Sequence, residues 1–177
     1  MDTLKLATDW AKSEVFSSSF FILFGLLFVI ASTGFWQIGK TDIAKAYIIP
    51  TSLSGVLLLI IGFGLLYTNV ARITEFETAY KSDSTVFFTS EIKRSQATLN
   101  EYKVIVFTTI PLIIAACALT LTVTIAPTWR AYMITTIAMM IVILLVDGTA
   151  HARIEAYCNQ LILLENPERP KKFEGIQ

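Results

Sequence analysis

The chain has 177 residues, a length typical of one domain, and 54% of its residues are hydrophobic while 16% are charged. Soluble domains average about 25% charged residues, so this composition, with a mean hydropathy of +0.63, indicates a membrane protein. Fourteen basic side chains balance fourteen acidic ones. A net charge of zero argues against a nucleic-acid partner, which requires a basic surface.

The first fourteen residues, MDTLKLATDWAKSE, place Leu4, Ala7, Trp10 and Ala11 three or four positions apart. This spacing predicts a short amphipathic helix over 1–14 that lies at the membrane interface with Trp10 as its anchor. A cleaved signal peptide is the alternative. It is disfavoured because the apolar run that follows has about 22 residues and lacks an A-x-A-like cleavage site.

Two apolar runs in the first half of the chain predict membrane spans over 15–38 and 47–69, since a helix needs about 20 residues to cross a bilayer. Pro50 falls in the first turn of the second span, where its missing N–H is tolerated. Gly55 and Gly62 lie seven residues apart on one face of that helix. They predict close packing against another helix, either of this chain or of a second copy.

The segment 70–103 is the largest hydrophilic stretch, with five basic and five acidic side chains. Apolar residues recur at helical spacing before and after Ser82-Asp83-Ser84, so we predict a helical hairpin capped by Asp83 or Ser84. The predicted apolar stripes are Val70, Ile73, Phe76 (or Glu77) and Tyr80, then Phe88, Ile92, Ser95, Leu99 and Tyr102. The second and third spans would therefore continue as helices beyond the membrane.

The second half of the chain repeats the pattern, with spans predicted over 104–126 and 130–147 and a tight antiparallel turn between them. Pro111 predicts a kink in the third span. Threonines cluster near the turn, where they indicate hydrogen bonds within or between helices or, alternatively, a polar path across the membrane. They are Thr120, Thr122, Thr124, Thr135 and Thr136.

The fourth helix is expected to continue through 148–166, because an apolar stripe persists there. Its members are Ile154, Tyr157 or Cys158, Leu161 and Leu164. Prolines at 167 and 170 would end the helix, and the polar tail 167–177 is expected to be disordered. Cys117 and Cys158 are expected to be buried and unpaired.

Orientation follows from the distribution of lysine and arginine. Eleven of the fourteen lie in the N-terminal segment, in 70–103 and after Asp147, and three lie in the two opposite turns. Because short cytoplasmic segments are enriched in basic residues, both termini and the helical extensions are predicted to face the cytoplasm.

Asp147, His151 and Glu155 are the candidate catalytic or ligand residues, because they recur every four residues where the fourth helix leaves the membrane. The chain has a single histidine, so a metal would need further ligands from Glu101, Glu91 or Glu77. The simpler interpretation is a polar cluster in which other side chains pair with Asp147 and His151. The expected partners are Asn69, Arg72, Asn100 and Glu101.

These features predict an all-α integral membrane four-helix bundle, a single membrane domain with both termini inside and three helices extended on the cytoplasmic side. We expect neither a metal nor a cofactor. The favoured function is a non-enzymatic scaffold, complex subunit or inhibitor-like partner-binding protein in contact with membrane lipids. The alternatives are a homo-oligomeric channel with a threonine-lined pore and a small intramembrane enzyme that uses Asp147, His151 and Glu155. A bacterial inner membrane is the expected location.

Overall fold

The computed structural model describes residues 3–165, which form six α-helices and one π-helical turn and contain no strand. The helices are α1 (Thr3–Ile38), α2 (Asp42–Ala46), α3 (Ile48–Ser82), α4 (Ser84–Val104), α5 (Ile110–Val123) and α6 (Pro127–Glu165), and the π turn is Ile105–Thr109. The expected all-α class is confirmed for these residues. The predicted disorder of the tail 167–177 lies outside the described residues.

Four helical stretches are long and apolar enough to cross a membrane, as the four apolar runs predict. They are Thr3–Ile38, Asp42–Ser82, Ser84–Val123 and Pro127–Glu165. Each has more residues than the roughly 20 that a bilayer requires, because a polar helical segment continues from one end of each apolar run. Helix α6 is central to the fold, since it packs against α1, α3, α4 and α5.

Helix α1 runs without interruption from Thr3 to Ile38, which differs from the expectation of a separate interfacial helix over 1–14. Trp10 is only 8% exposed, and Ala7 and Ala11 are fully buried. They pack in one cluster with aromatic and aliphatic side chains of α3, α4 and α6. The apolar stripe at the start of α1 therefore contacts protein, and Trp10 is part of a core.

Helices α1 and α3 approach each other closely through glycines. A Cβ atom on Gly55 would lie 2.9 Å from the Gly25 carbonyl oxygen, and one on Gly62 would lie 2.9 Å from the Ile22 backbone nitrogen. The Ser32 hydroxyl also donates a 2.8 Å hydrogen bond to the Ile48 carbonyl oxygen. The helix that packs on the glycine face of the second span therefore belongs to this chain, an alternative that the sequence left open.

The turn between α3 and α4 confirms the predicted cap. Asp83 has an extended backbone, and its Oδ1 accepts hydrogen bonds from the Thr85 and Val86 N–H groups at 2.9 and 3.0 Å. An aspartate at this position satisfies two amide groups that have no partner within the first turn of a helix. The chain thus reverses direction with a single non-helical residue between two long helices.

The third span is irregular just before Pro111, where a kink is predicted. The π turn Ile105–Thr109 precedes α5, and Pro111 lies in its first turn. The Thr108 and Thr109 hydroxyls donate to the carbonyl oxygens of Lys103 and Val104, five residues back, at 3.0 Å. A proline has no N–H to donate to a carbonyl oxygen in the preceding turn. The two threonine hydroxyls donate to carbonyl oxygens in the same stretch of helix.

Helix α5 ends at Val123, a little before the predicted end of the span at 126, because Thr124 adopts an extended backbone. Arg130 Nη1 donates to the carbonyl oxygens of Leu121 and Thr124 at 3.1 and 3.0 Å, so its charge stabilises the C-terminal end of α5. Helix α6 begins at Pro127 and packs against α5. The tight hairpin predicted from the short separation of the two runs is confirmed.

The polar segments next to the apolar runs pack together into a compact unit, which we call the polar layer. It consists of 3–14 of α1, 70–82 of α3, α4, and 148–165 of α6. Its core is the cluster of Ala7, Trp10, Ala11, Phe76, Phe87, Ile154, Tyr157 and Leu161. The predicted helical extensions therefore exist, and they bury their apolar stripes against one another within this chain.

Candidate functional site

Asp147, His151 and Glu155 follow one another along one side of α6, but the structure gives them different surroundings. The His151 ring packs edge-to-face against Tyr102 and Phe107, with centroid distances of 5.8 and 5.0 Å. Glu155 is exposed, whereas Asp147 is half-buried. The three candidates therefore lie in three different environments.

Asp147 lines a cleft of about 200 Å³ between α4, the π turn and α6. Glu101 lines the same cleft, so the structure brings these two carboxylates to one place. The other acidic residues considered as ligands lie elsewhere, since Glu77 pairs with Lys81 at 2.6 Å and Glu91 is buried in the polar layer. Within residues 3–165, no group of three or more histidine, cysteine, aspartate or glutamate side chains is arranged to hold a metal ion.

Two of the residues expected to pair with Asp147 and His151, namely Asn69 and Arg72, pair with each other. Arg72 Nη1 donates a 3.0 Å hydrogen bond to Asn69 Oδ1, and Asn69 is 4% exposed. The two residues are three positions apart on α3, so their side chains lie on the same face. This pair lies where α3 enters the polar layer, and it satisfies the amide oxygen of a buried asparagine.

The most extensive polar contact in the polar layer is centred on Glu91, which the sequence offered only as a possible metal ligand and not as part of a buried ion pair. Glu91 is 4% exposed and accepts two hydrogen bonds from Arg94, from Nε at 2.9 Å and from Nη2 at 2.6 Å. The Tyr157 hydroxyl donates to Glu91 Oε2 at 2.8 Å. A buried carboxylate is tolerated only when it is paired and hydrogen-bonded, and these three donors meet that requirement.

Aromatic rings enclose the charged pair. The Arg94 guanidinium carbon lies 4.5 Å from the Trp10 ring centroid and 5.7 Å from that of Phe76. Trp10 stacks on Tyr157 with a centroid distance of 5.3 Å and an interplanar angle of 16°. A guanidinium over an indole face is a favourable cation–π arrangement, so α1, α3, α4 and α6 all contribute to this cluster.

The electrostatic effects of this cluster agree with its geometry. Burial opposes the charge of Arg94, but the hydrogen bonds and negative charge of Glu91 outweigh it and raise the pKa of the guanidinium. Burial, together with the Glu91 carboxylate, raises the pKa of Tyr157. Both effects keep Arg94 charged and Tyr157 protonated at neutral pH, so the cluster behaves as a fixed ion pair.

A second ion pair links the start of α1 to α6. Arg153 Nε donates to Glu14 Oε1 at 3.0 Å. Two buried donors nearby have no hydrogen-bond partner among the described residues, namely Arg153 Nη2 and Trp10 Nε1. Buried polar groups are nearly always satisfied in folded proteins, so these two atoms require an explanation.

Two of the five threonines near the α5–α6 turn form hydrogen bonds within their own helix. The Thr120 hydroxyl donates to the Ala116 carbonyl oxygen at 2.8 Å, and the Thr122 hydroxyl donates to that of Leu119 at 2.7 Å. Thr124 lies beyond the end of α5, and Thr135 is buried at 4% exposure. The hydroxyls of Thr120 and Thr122 thus form hydrogen bonds within their helix, one of the arrangements that the sequence indicates.

Both cysteines are free and buried, as expected from the sequence. Cys117 packs at the face of α5 that is turned to α6, and Cys158 lies in the polar layer. Neither side chain contributes to the clusters described above.

Taken together, the fold and these contacts are those of an all-helical, multi-pass membrane protein with a tightly packed polar layer beside its spans. Searches against family models, curated proteins and solved structures find no match for this chain.

Proposed function

We propose that the protein is a non-enzymatic, membrane-embedded scaffold or complex subunit that binds a partner protein through helix α3. The observation that carries this proposal is a largely exposed face of α3, which the rest of residues 3–165 leaves mostly uncovered. We define the small-residue face as Gly64, Thr68, Ala71, Glu75, Thr78 and Ser82.

The small-residue face is opposite to the face that packs on α1. At 100° per residue, Gly64 is about 200° from Gly62 around the helix axis. Gly62 is buried against α1, whereas the space around Gly64 is open. The Thr68 hydroxyl donates to the Gly64 carbonyl oxygen at 2.9 Å, which leaves the helix surface smooth. Small residues four apart let a second helix approach closely in lipid.

The face also suggests what kind of partner fits. It begins within the apolar run at Gly64 and continues to Ser82 at the end of α3, which is about 27 Å at 1.5 Å per residue. Its membrane part consists of Gly64 and Thr68, whose hydroxyl is engaged within α3, and its outer part carries hydroxyl groups and Glu75. The matching partner is a membrane-crossing helix that continues beyond the membrane and offers donors to these oxygens.

The two alternative functions have less support. A threonine-lined channel would use hydroxyls that bond to their own helix in Thr120 and Thr122. An intramembrane enzyme would rely on His151, whose ring packs between two aromatic side chains. We also propose that the polar layer faces the cytoplasm of a bacterial inner membrane, because eleven of the fourteen basic residues lie in the N-terminal segment, in 70–103 and after Asp147 in the sequence.

The proposal can be tested by crosslinking in the cells that produce the protein. A photoreactive residue in place of Thr78, on the small-residue face, is expected to form a product with a membrane-spanning partner. Gly64→Leu should lower the yield by roughly fivefold, equivalent to a loss of about 1 kcal/mol of helix packing. Gly34→Leu is the matched control, because the space around Gly34 is also open, and it should leave the yield unchanged.

Other outcomes count against the proposal. A product of twice the chain's mass would identify a second copy as the occupant of the face, and lipid adducts alone would show that the face is bare. An equal loss of yield in Gly64→Leu and Gly34→Leu would mean that general destabilisation, and not this face, controls binding.

A further inference from the structure

A cleft of about 220 Å³ lies between the start of α1 and the end of α6. Its lining includes Asp9, Trp10 and Ser13 from α1 and Arg153, Tyr157 and Gln160 from α6. We propose that this cleft binds the phosphodiester group of a glycerophospholipid whose headgroup carries an amine.

The two buried donors without partners both belong to residues that line this cleft. They are Trp10 Nε1 and Arg153 Nη2. Trp10 is 8% exposed, and its ring is held in place by the stacked Tyr157 ring. The Arg153 side chain lines the cleft and is 30% exposed, and its planar guanidinium holds Nη2 beside the Nε that bonds to Glu14. We expect an acceptor with two oxygen atoms, bound in the cleft, to accept hydrogen bonds from these two donors.

The position of the cleft along the helices matches the depth of lipid headgroups. Trp10 is five residues before the apolar run that starts at Val15, which is about 7 Å along the helix. Arg153 is seven residues beyond Val146, the last apolar residue before Asp147, which is about 10 Å. The headgroup layer extends roughly 5–8 Å beyond the hydrocarbon on each side, so a phosphate attached to a lipid is within reach of these residues.

The charges in the cleft favour a zwitterionic headgroup. The Nε–H of Arg153 already donates to Glu14, whereas Nη2 has no hydrogen-bond partner among the described residues. A guanidinium binds phosphate well because its planar donors match two phosphate oxygens. Asp9 lines the same cleft and is exposed. A phosphoethanolamine headgroup can therefore place its phosphate at Arg153 and its ammonium group at Asp9.

Native mass spectrometry of the detergent-purified protein, titrated with phosphatidylethanolamine, tests the proposal. Trp10→Phe removes the indole donor but keeps an aromatic ring to stack on Tyr157. It is expected to weaken lipid binding about tenfold, as the loss of one hydrogen bond to a charged group would. Trp36→Phe and Trp129→Phe are the matched controls, because both tryptophans are exposed and lie far from the cleft, and both should bind as the wild type does.

Lipid analogues distinguish the source of the phosphate. Diacylglycerol with the same chains should bind at least tenfold more weakly, because it lacks the phosphate. Inorganic phosphate and phosphoethanolamine should not displace the lipid at equal concentration, because neither has acyl chains to contact the apolar surface. Displacement by either would show that the cleft takes a free phosphate, which overturns the lipid assignment.

A second variant keeps the test decisive if Trp10→Phe fails to fold. Arg153→Lys retains a positive charge near Glu14 but lacks the second guanidinium nitrogen, and it is expected to weaken binding to a similar extent. Equal binding by the wild type and by either folded variant, with melting temperatures unchanged, would overturn the proposal. In that case water molecules satisfy the two donors.

Discussion

At the scale of single residues, Glu91 is the carboxylate that accepts the most side-chain hydrogen bonds within the described polar layer. Its carboxylate is removed from water and receives three hydrogen bonds from Arg94 and Tyr157. Such a pair adds little net stability compared with an apolar core, but breaking one partner is costly because it leaves the other charge unpaired. Glu91 therefore ties the α3–α4 hairpin to α6 by a contact that tolerates few substitutions.

Removal of the negative charge of Glu91 should destabilise the fold. Glu91→Gln preserves the shape of the side chain but leaves Arg94 without its anion, and it should lower the free energy of unfolding by about 2 kcal/mol. This is below the usual range for breaking a buried pair, since a quarter of the Arg94 side chain remains exposed (26%). Thermal unfolding of the detergent-solubilised protein measures the change.

Glu77→Gln is the matched control for this prediction. Glu77 pairs with Lys81 on the surface of α3, where both side chains are more than half exposed. Exposed pairs contribute almost nothing to stability, so the melting temperature should not change. Equal melting temperatures for Glu91→Gln and the wild type would show that Arg94 does not depend on the Glu91 charge for its stability in the polar layer.

Glu91 also shows where sequence reasoning stops at this scale. The predicted stripe on α4 ran through Phe88, Ile92, Ser95, Leu99 and Tyr102. The structure buries Ser95 of this stripe and leaves its other members half-buried against the core, but it also buries Phe87 and Glu91, which lie outside the stripe. A buried carboxylate breaks the apolar periodicity from which a core face is predicted. Only the Arg94 side chain three residues on hints that Glu91 is paired.

At the scale of helices, the closest contact in the fold is between α1 and α3. It depends on glycine, since a Cβ on Gly55 would come within 2.9–3.0 Å of backbone atoms of Gly25 and Val29. Backbone atoms cannot move aside as the end of a flexible side chain can. The two helices would therefore have to separate to admit even a methyl group, and they would lose packing along their whole length.

Replacement by alanine should have opposite effects on stability at Gly55 and at Gly148. Gly55→Ala should lower stability by about 1–3 kcal/mol, the cost typical of overpacking a close contact. Gly148→Ala is the matched control, because open space surrounds Gly148 on α6, and alanine is the better helix former by up to about 1 kcal/mol. Thermal unfolding of both variants should therefore give shifts of opposite sign, and equal shifts would contradict the close approach.

Element boundaries were predicted best where one residue type has a local role. Asp83 caps α4 as its position between two stripes implies, and α6 continues well past the apolar run, to Glu165. The start of α1 was harder, because Leu4, Ala7, Trp10 and Ala11 define an apolar stripe without stating what covers it. Lipid and protein satisfy such a stripe equally well, and only the tertiary structure identifies the protein core.

At the scale of the whole molecule, the number of spans follows from the lengths of the apolar runs. Which helices touch does not, because lipid and helix surfaces in the membrane are equally apolar. Gly55 and Gly62 indicated a close contact, but its partner, α1, became clear only from the fold. For the same reason, the candidate residues Asp147, His151 and Glu155 could be placed on one helical face while their neighbours could not be predicted.

Four membrane crossings would leave the polar layer on one side of the membrane and the α1–α2 and α5–α6 turns on the other. Single cysteines at Lys40 and Lys93, introduced after Cys117→Ser and Cys158→Ser, test this with a membrane-impermeant maleimide. Both lysines are exposed. In intact cells Lys40→Cys should be labelled and Lys93→Cys should react only after permeabilisation. Labelling of both from the same side would contradict the four-span topology.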